Sequence, residues 1–126
     1  QSPLCGSQLT LDARIEDGRV RGELGHRIRA CSLGQAATMI VAAHADGLDL
    51  PTVRKVHGQL QAILDGSGEH SDWPELEIFA QVRDVPNRHG AVLLPFRALE
   101  LLFERAAGHA GGSAGRGAGS ITMAKE

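Results

Sequence analysis

The fold of this chain is decided by residues 9–40, "LTLDARIEDGRVRGELGHRIRACSLGQAATMI", in which one sequence period gives way to another. From Leu9 to Ile15, apolar residues alternate with polar ones, which is the period of two expected of a half-buried strand. Asp17-Gly18 follows and favours a two-residue hairpin turn, because both central positions of that turn need a positive φ. After Cys31 the apolar residues recur at helical spacing instead. The sequence therefore predicts a hairpin followed by a helix.

The hairpin is predicted over residues 8–29, and a break at Gly22 or Gly25 would divide off a third short strand. Ser32 and Gln35 match a capping box at the start of the first helix. Asp46-Gly47 ends that helix. Later helices are predicted from Pro51 to Asp65, around Leu76 to Val82, and from about Asn87 to Ala107, with Pro95 starting or kinking the last segment.

This order of elements indicates an α+β fold, in which a small antiparallel sheet of two to three N-terminal strands packs against several helices. We assign residues 1–107 to this domain. Residues 108–126 are rich in Gly, Ala and Ser and carry too little apolar surface to offset their chain entropy. We expect them to be a disordered tail or an added linker.

Composition excludes several classes of function. The 126 residues carry 13 basic and 15 acidic side chains, a net charge of −2, which argues against general binding to nucleic acid or to an anionic membrane. No apolar run approaches the roughly 18 residues needed to cross a bilayer. The chain shows no secretory leader, although it starts at Gln1, so a removed leader or helix stays open. These features favour a cytoplasmic protein with reduced thiols.

Both cysteines lie at the ends of predicted elements. Cys5 belongs to a Pro/Gly-flanked turn before the first strand, and Cys31 comes directly before the first helix. A helix N-terminus favours thiolate over thiol, and thiolate is the form that binds metals or carries persulfide sulfur. Two alternatives remain open: Cys31 is a small buried residue at a corner, or it forms a disulfide with Cys5.

Two stretches resemble the iron–sulfur cluster assembly scaffold family of the NifU N-terminal, IscU and SufU type. They are "SPLCGSQLTLDARIEDGRVRGELGHRIRACSLGQAATMI", residues 2–40, and "LEIFAQVRDVPNRHGAVLLPFRALELLF", residues 76–103. The resemblance covers roughly residues 2–107 and is closest to SufU-type chains in the length between its two parts. It implies an IscU/NifU-like fold and metal binding through Cys5 and Cys31.

The chain departs from the family pattern at ligand positions. Ser7 replaces the family aspartate, and Ala91, after Gly90, replaces the third cysteine. His89 lies two residues away and is the substitute that we expect, because a neutral imidazole is an accepted ligand of zinc and iron. The implied metal site is Cys5, Cys31 and His89, with Ser7 as a possible weak oxygen ligand. The plainer interpretation of His89 is a solvent-exposed residue near a helix start.

The resemblance implies a scaffold or carrier that holds a transient [2Fe–2S] cluster, with a cysteine desulfurase and apo iron–sulfur proteins as partners. One alternative is a zinc-containing acceptor of persulfide sulfur, and another is a non-catalytic binding module of the same fold. The strong nucleotide, hydrolase and zincin motifs are absent, and we expect no enzymatic activity. The oligomeric state is left open.

Other residues are given structural roles. Trp73 is expected to anchor the core, His26 to lie partly buried on the apolar side of a strand, and His44 and His57 to lie on or beside helix faces. The arginines of the hairpin are interpreted as a solvated face, with docking of an acidic partner as the alternative; they are Arg19, Arg21, Arg27 and Arg29.

Overall fold

A computed structural model describes residues 7–29, 32–109 and 116–125. It has the α+β architecture that the sequence predicts, with helices packed against an antiparallel sheet. The strands and α-helices, in chain order, are β1 (Ser7–Glu16), β2 (Arg19–Val20), β3 (Gly25–Arg29), α1 (Ser32–Ala43), α2 (Leu50–Asp65), α3 (His89–His109) and β4 (Arg116–Lys125). A 3-10 helix, Pro74–Val82, and a single 3-10 turn, Pro86–Arg88, connect α2 to α3.

The N-terminal strands form as the sequence predicts. Asp17 and Gly18 have φ values of 54° and 76°, as a tight hairpin turn between β1 and β2 requires. The chain breaks after β2, and a third strand starts at Gly25. The apolar face of β1 is buried; its members are Leu9, Leu11, Ala13 and Ile15. The expectation for His26 is wrong: it is exposed, because β3 lies at an edge of the sheet where a polar ring keeps its water.

The C-terminal segment adds a fourth strand. β4 pairs antiparallel with β1, so that Leu9 faces Ile28 of β3 on one side and Met123 of β4 on the other. The sequence predicts no regular structure here, whereas residues 116–125 pair with the whole length of β1. Pairing by main-chain hydrogen bonds needs few apolar side chains, so low hydrophobicity did not reveal it. The domain boundary at residue 107 stays a prediction.

The helices are bounded by identifiable caps. Asp49 accepts a hydrogen bond from the Thr52 N–H at 3.1 Å and caps α2, whose first turn contains Pro51. Gly66, with a φ of 91°, ends the same helix as predicted. α3 begins two residues later than the sequence predicts and continues through Pro95. The proline therefore neither starts nor ends the helix.

The core lies between the sheet and the helices. Trp73 is 6% exposed, which confirms its role as an anchor, and its ring centroid lies 5.8 Å from that of Phe96 in α3. Val20 of β2 exchanges hydrogen bonds with the loop between α1 and α2, donating to Leu48 O and accepting from Gly47 N. In the part of the chain that the structure describes, no helix is long and apolar enough to cross a membrane.

Candidate metal centre

The structure describes the chain from Ser7 onward after Cys5 and the chain on either side of Cys31, while Cys5 and Cys31 themselves lie outside the described residues. In the pairing of β1 with β3, Gln8 lies opposite Arg29. Cys5 precedes Gln8 by three residues, and Cys31 follows Arg29 by two. Antiparallel pairing thus brings the start of β1, which follows Cys5 in sequence, beside the end of β3, which precedes Cys31. Sequence spacing alone did not define this relationship.

Ser7, the possible auxiliary ligand, is the first residue of β1. The register places it opposite Lys125 of β4, at the same end of the sheet as Gln8 and Arg29. Its role as a ligand stays a prediction.

His89, the predicted third ligand, is the first residue of α3 and is half-buried. Its Nε2 lies 2.8 Å from the carbonyl oxygen of Val82, the last residue of the 3-10 helix. A carbonyl oxygen can only accept a hydrogen bond, so Nε2 carries the proton and donates it. In the neutral form of the ring, the lone pair is then on Nδ1. His89 is therefore held in one tautomer, as histidine ligands commonly are by a backbone carbonyl.

Ala91 occupies the position that the resemblance aligns with the third cysteine. It lies in the first turn of α3 and is only 7% exposed. A methyl group offers no lone pair, so this position supplies no ligand. The resemblance therefore implies a smaller ligand set for this chain than the family pattern has.

The described residues do not by themselves build a metal site. Within residues 7–29, 32–109 and 116–125, no three His, Cys, Asp or Glu side chains form a group that could hold a metal ion. Cys5 and Cys31 fall outside these ranges. The set of Cys5, Cys31 and His89 therefore stays a prediction.

Two histidine–carboxylate pairs were missed by the sequence analysis. His44 Nε2 lies 2.9 Å from Glu75 Oε2, and the imidazole stacks on Trp73 with centroids 4.1 Å apart and planes 5° from parallel. Hydrogen bonds, first from the backbone N–H of Glu75 and then from His44, hold the pKa of the Glu75 carboxyl below its ordinary value. The partners are 31 residues apart in the chain, so no local pattern could have revealed the pair.

The second pair is more deeply buried and joins α2 to α3. His57 Nδ1 lies 2.6 Å from Glu100 Oε2, and the histidine is 9% exposed. Since a carboxylate accepts, Nδ1 donates. The other ring nitrogen, Nε2, is buried and has no hydrogen-bond partner among the described residues. Both pairs lie within the helical layer and link its elements.

Comparisons with known proteins agree with this architecture. A crystal structure of the N-terminal part of a nitrogen-fixing NifU-like protein from Brucella abortus is similar to the chain, with a TM-score of 0.74 and 29% sequence identity. The similarity covers 83% of this chain and 74% of that one. The protein-family models give no match, and neither do the curated proteins. The resemblance found in the sequence and the structural similarity thus agree: in fold and in sequence the chain is similar to the N-terminal domain of a NifU-like protein.

Proposed function

We propose that this protein is a scaffold or carrier that holds iron and sulfide, as a transient [2Fe–2S] cluster, on the thiolates of Cys5 and Cys31. The observation that carries the proposal is the similarity to a NifU-like N-terminal structure over 83% of the chain. The pairing of Gln8 with Arg29 supports it, because the residues flanking both cysteines meet at one end of the sheet. The cluster is cargo, to be passed to apo iron–sulfur proteins, and the chain itself catalyses no reaction.

Ligand count limits how firmly the cargo is held. A [2Fe–2S] cluster takes four protein ligands in stable sites, mostly thiolates. Cys5 and Cys31 supply two, and His89 would supply a third through Nδ1, because its Nε2 is committed to Val82 O. One position then stays open to a thiol of a sulfur donor, of a recipient protein or of a second copy. An incomplete ligand set suits a carrier that must release its cluster.

Zinc with persulfide sulfur is the second candidate, and the fixed tautomer of His89 favours it. Two thiolates and one imidazole are a ligand set that zinc accepts, with a fourth position for an exchangeable group. In that function a cysteine desulfurase would deliver sulfur to one of the two thiolates. Ala91 weakens this candidate, because the resemblance assigns the sulfur-accepting thiol to that position.

The test is the metal and acid-labile sulfide content of anaerobically purified protein, measured with its visible spectrum. We expect iron and sulfide in equal amounts and charge-transfer bands, all lost in Cys5→Ser and in Cys31→Ser. His70→Ala is the matched control, because His70 lies in an exposed loop and its side chain is 86% exposed. Zinc without sulfide would favour the persulfide acceptor. Protein that binds neither metal after reconstitution would contradict both functions and leave the non-catalytic binding module.

A further inference from the structure

β3 has an edge that is open to another strand. Residues Gly25–Arg29 pair with β1 along one edge, and among the described strands none pairs with the other edge. No turn or loop backbone hydrogen bond reaches these residues either, within the chain that the structure describes. Gly25, His26, Arg27 and Arg29 are exposed. Main-chain N–H and C=O groups are therefore available there to an added strand.

The outer face of this edge is basic. Arg27 and Arg29 alternate with Ile28, which packs against the core, so both arginines project to the side away from the helices. Neither arginine forms an ion pair with a residue that the structure describes. Arg19 differs, because its guanidinium lies 3.6 Å from the Asp49 carboxylate and donates a hydrogen bond to Gly47 O. Among the residues that the structure describes, Arg19 thus has charged and backbone partners, whereas Arg27 and Arg29 have no ion-pair partner.

Spacing and charge together define what fits this edge. Alternate residues of a strand are about 6.6–6.8 Å apart, so two arginines on one face match two carboxylates at alternate positions of an extended segment. Opposite charges in directly facing cross-strand positions attract, and arginine binds carboxylate through paired hydrogen bonds. Although the whole chain has a net charge of −2, the local positive charge of this edge would orient an acidic partner during its approach.

The position of the β3 edge explains what a partner bound there would do. Arg29 lies opposite Gln8 and two residues before Cys31, at the end of the sheet that is nearest in sequence to both cysteines. A partner strand on β3 would lie beside the proposed cargo site. Charged residues on an edge strand also discourage aggregation, which is the simpler role of Arg27 and Arg29. If the arginines dock a partner, an acidic peptide should bind at this edge; if they only discourage aggregation, it should not.

We propose that the β3 edge is a docking site for an extended acidic segment of a partner protein, which adds to the sheet as a strand and places its carboxylates against Arg27 and Arg29. This inference rests on the proposed function, because docking beside Cys31 matters only if cargo is exchanged there. The segment is defined by its chemistry: carboxylates at alternate positions, with β-branched residues between them.

The experiment uses the full chain and a short fluorescent peptide with glutamate at alternate positions and threonine or valine between them. We expect saturable binding by fluorescence anisotropy and slower amide hydrogen exchange in β3 when the peptide is bound. Arg27→Glu/Arg29→Glu should weaken binding by at least about tenfold, since each lost ion pair and the new repulsion add. Arg27→Gln/Arg29→Gln should fall between that variant and the unchanged protein.

The control is Arg97→Glu/Arg105→Glu, which makes the same change of charge at two exposed positions of α3. Equal loss of binding in this control would show general charge attraction and would overturn the proposal. So would peptide binding without protection of β3 amides, or complete competition by inorganic phosphate, which would identify only an anion site. A matched peptide with lysine in place of glutamate should not bind.

Failure of this inference can be told apart from failure of the proposed function. Arg27→Glu/Arg29→Glu should retain the iron and sulfide content of the unchanged protein, because neither arginine belongs to the proposed ligand set. Cargo binding with no peptide binding would overturn docking alone. Peptide binding by a protein that binds no metal would overturn the cargo function and leave the docking site.

Discussion

Gln8 lies directly opposite Arg29 in the pairing of β1 with β3. The start of β1, shortly after Cys5, therefore lies beside the end of β3, shortly before Cys31. Cys5 precedes Gln8 by three residues and Cys31 follows Arg29 by two. Each residue extends the chain by at most about 3.6 Å, so both cysteines are tethered close to this pair. The relationship leads to the first of five predictions.

Mild oxidation of the metal-free protein should join Cys5 to Cys31 within one chain, because both are attached to the same end of the sheet and a disulfide needs Cα atoms about 4.4–6.8 Å apart. Peptide mapping by mass spectrometry without reduction measures the product. Loading with iron or zinc should slow the reaction, since the thiolates are then ligands. Disulfides formed only between chains would contradict the prediction.

His89 should be the Nε2–H tautomer in the metal-free protein, because Nε2 donates to Val82 O at 2.8 Å. Long-range nitrogen–proton NMR spectra distinguish the two ring nitrogens. On addition of zinc, the Nδ1 signal should shift while Nε2 stays protonated, and His89→Ala should lower zinc affinity by at least about tenfold. An unchanged Nδ1 signal would remove His89 from the ligand set, and His70→Ala should have no effect.

Glu100→Ala should destabilise the protein by about 1.5–3 kcal/mol, because it leaves the donating Nδ1 of a buried His57 without its charged acceptor. Urea unfolding measures the change. Glu104→Ala, one helical turn away, is the control: its carboxylate pairs with Arg54 at 3.4 Å, and both side chains are more than half exposed. Glu104→Ala should lower the free energy of unfolding by no more than about 0.5 kcal/mol. Equal losses would show that the buried pair contributes nothing beyond a surface contact.

Asp49→Ala should lower the free energy of unfolding by about 1 kcal/mol, because it removes the N-cap of α2. Hydrogen bonds from Thr52, assisted by the charge of Arg19, hold the pKa of Asp49 below its ordinary value. A lowered folded-state pKa means that the stabilisation is present above the unfolded pKa of about 3.9 and is lost as pH falls through the folded value.

The control for that prediction is Asp49→Asn, which keeps an oxygen acceptor for the cap but cannot titrate. It should retain most of the stability at neutral pH and lose less stability than the unchanged protein during acidification. Chemical unfolding at a series of pH values below neutral compares the two. A parallel loss in both proteins would show that Asp49 does not contribute to the acid sensitivity.

Gly18→Ala should destabilise the hairpin by about 1 kcal/mol, because a side chain at a φ of 76° is strained. Gly58→Ala is the opposite case: the residue is exposed within α2, and an added Cβ would meet no atom within 4 Å. That substitution should stabilise the protein by about 0.5–1 kcal/mol. Thermal unfolding of both variants checks the signs, and stabilisation by Gly18→Ala would contradict the turn geometry.

Local sequence signals predicted the elements that depend on local physics. Alternation identified β1, and Asp17-Gly18 identified its turn, because backbone sterics restrict which residues adopt positive φ. Gly66 marked the end of α2 for the same reason. The start of α3 was less well defined, because a 3-10 turn, Pro86–Arg88, precedes it and favours the same residue types as the first turn of an α-helix.

Contacts between distant residues were not predictable in this way. β4 was missed because its pairing with β1 is made by the main chain, which every sequence possesses. His57 and Glu100 are 43 residues apart, and nothing in either neighbourhood marks them as partners. His89 was identified as a ligand candidate by the family pattern, whereas its tautomer depends on the carbonyl of Val82.

The sequence by itself determined the order of the first three strands and of the helices and the identity of the two thiols, because these follow from residue type and local spacing. The tertiary structure alone decided that Gln8 meets Arg29, that His89 donates through Nε2, and that Arg27 and Arg29 form no ion pair with a described residue on an edge that no described strand covers. Register and side-chain pairing are set by the packing of the sheet against the helices, and that packing is a property of the whole fold.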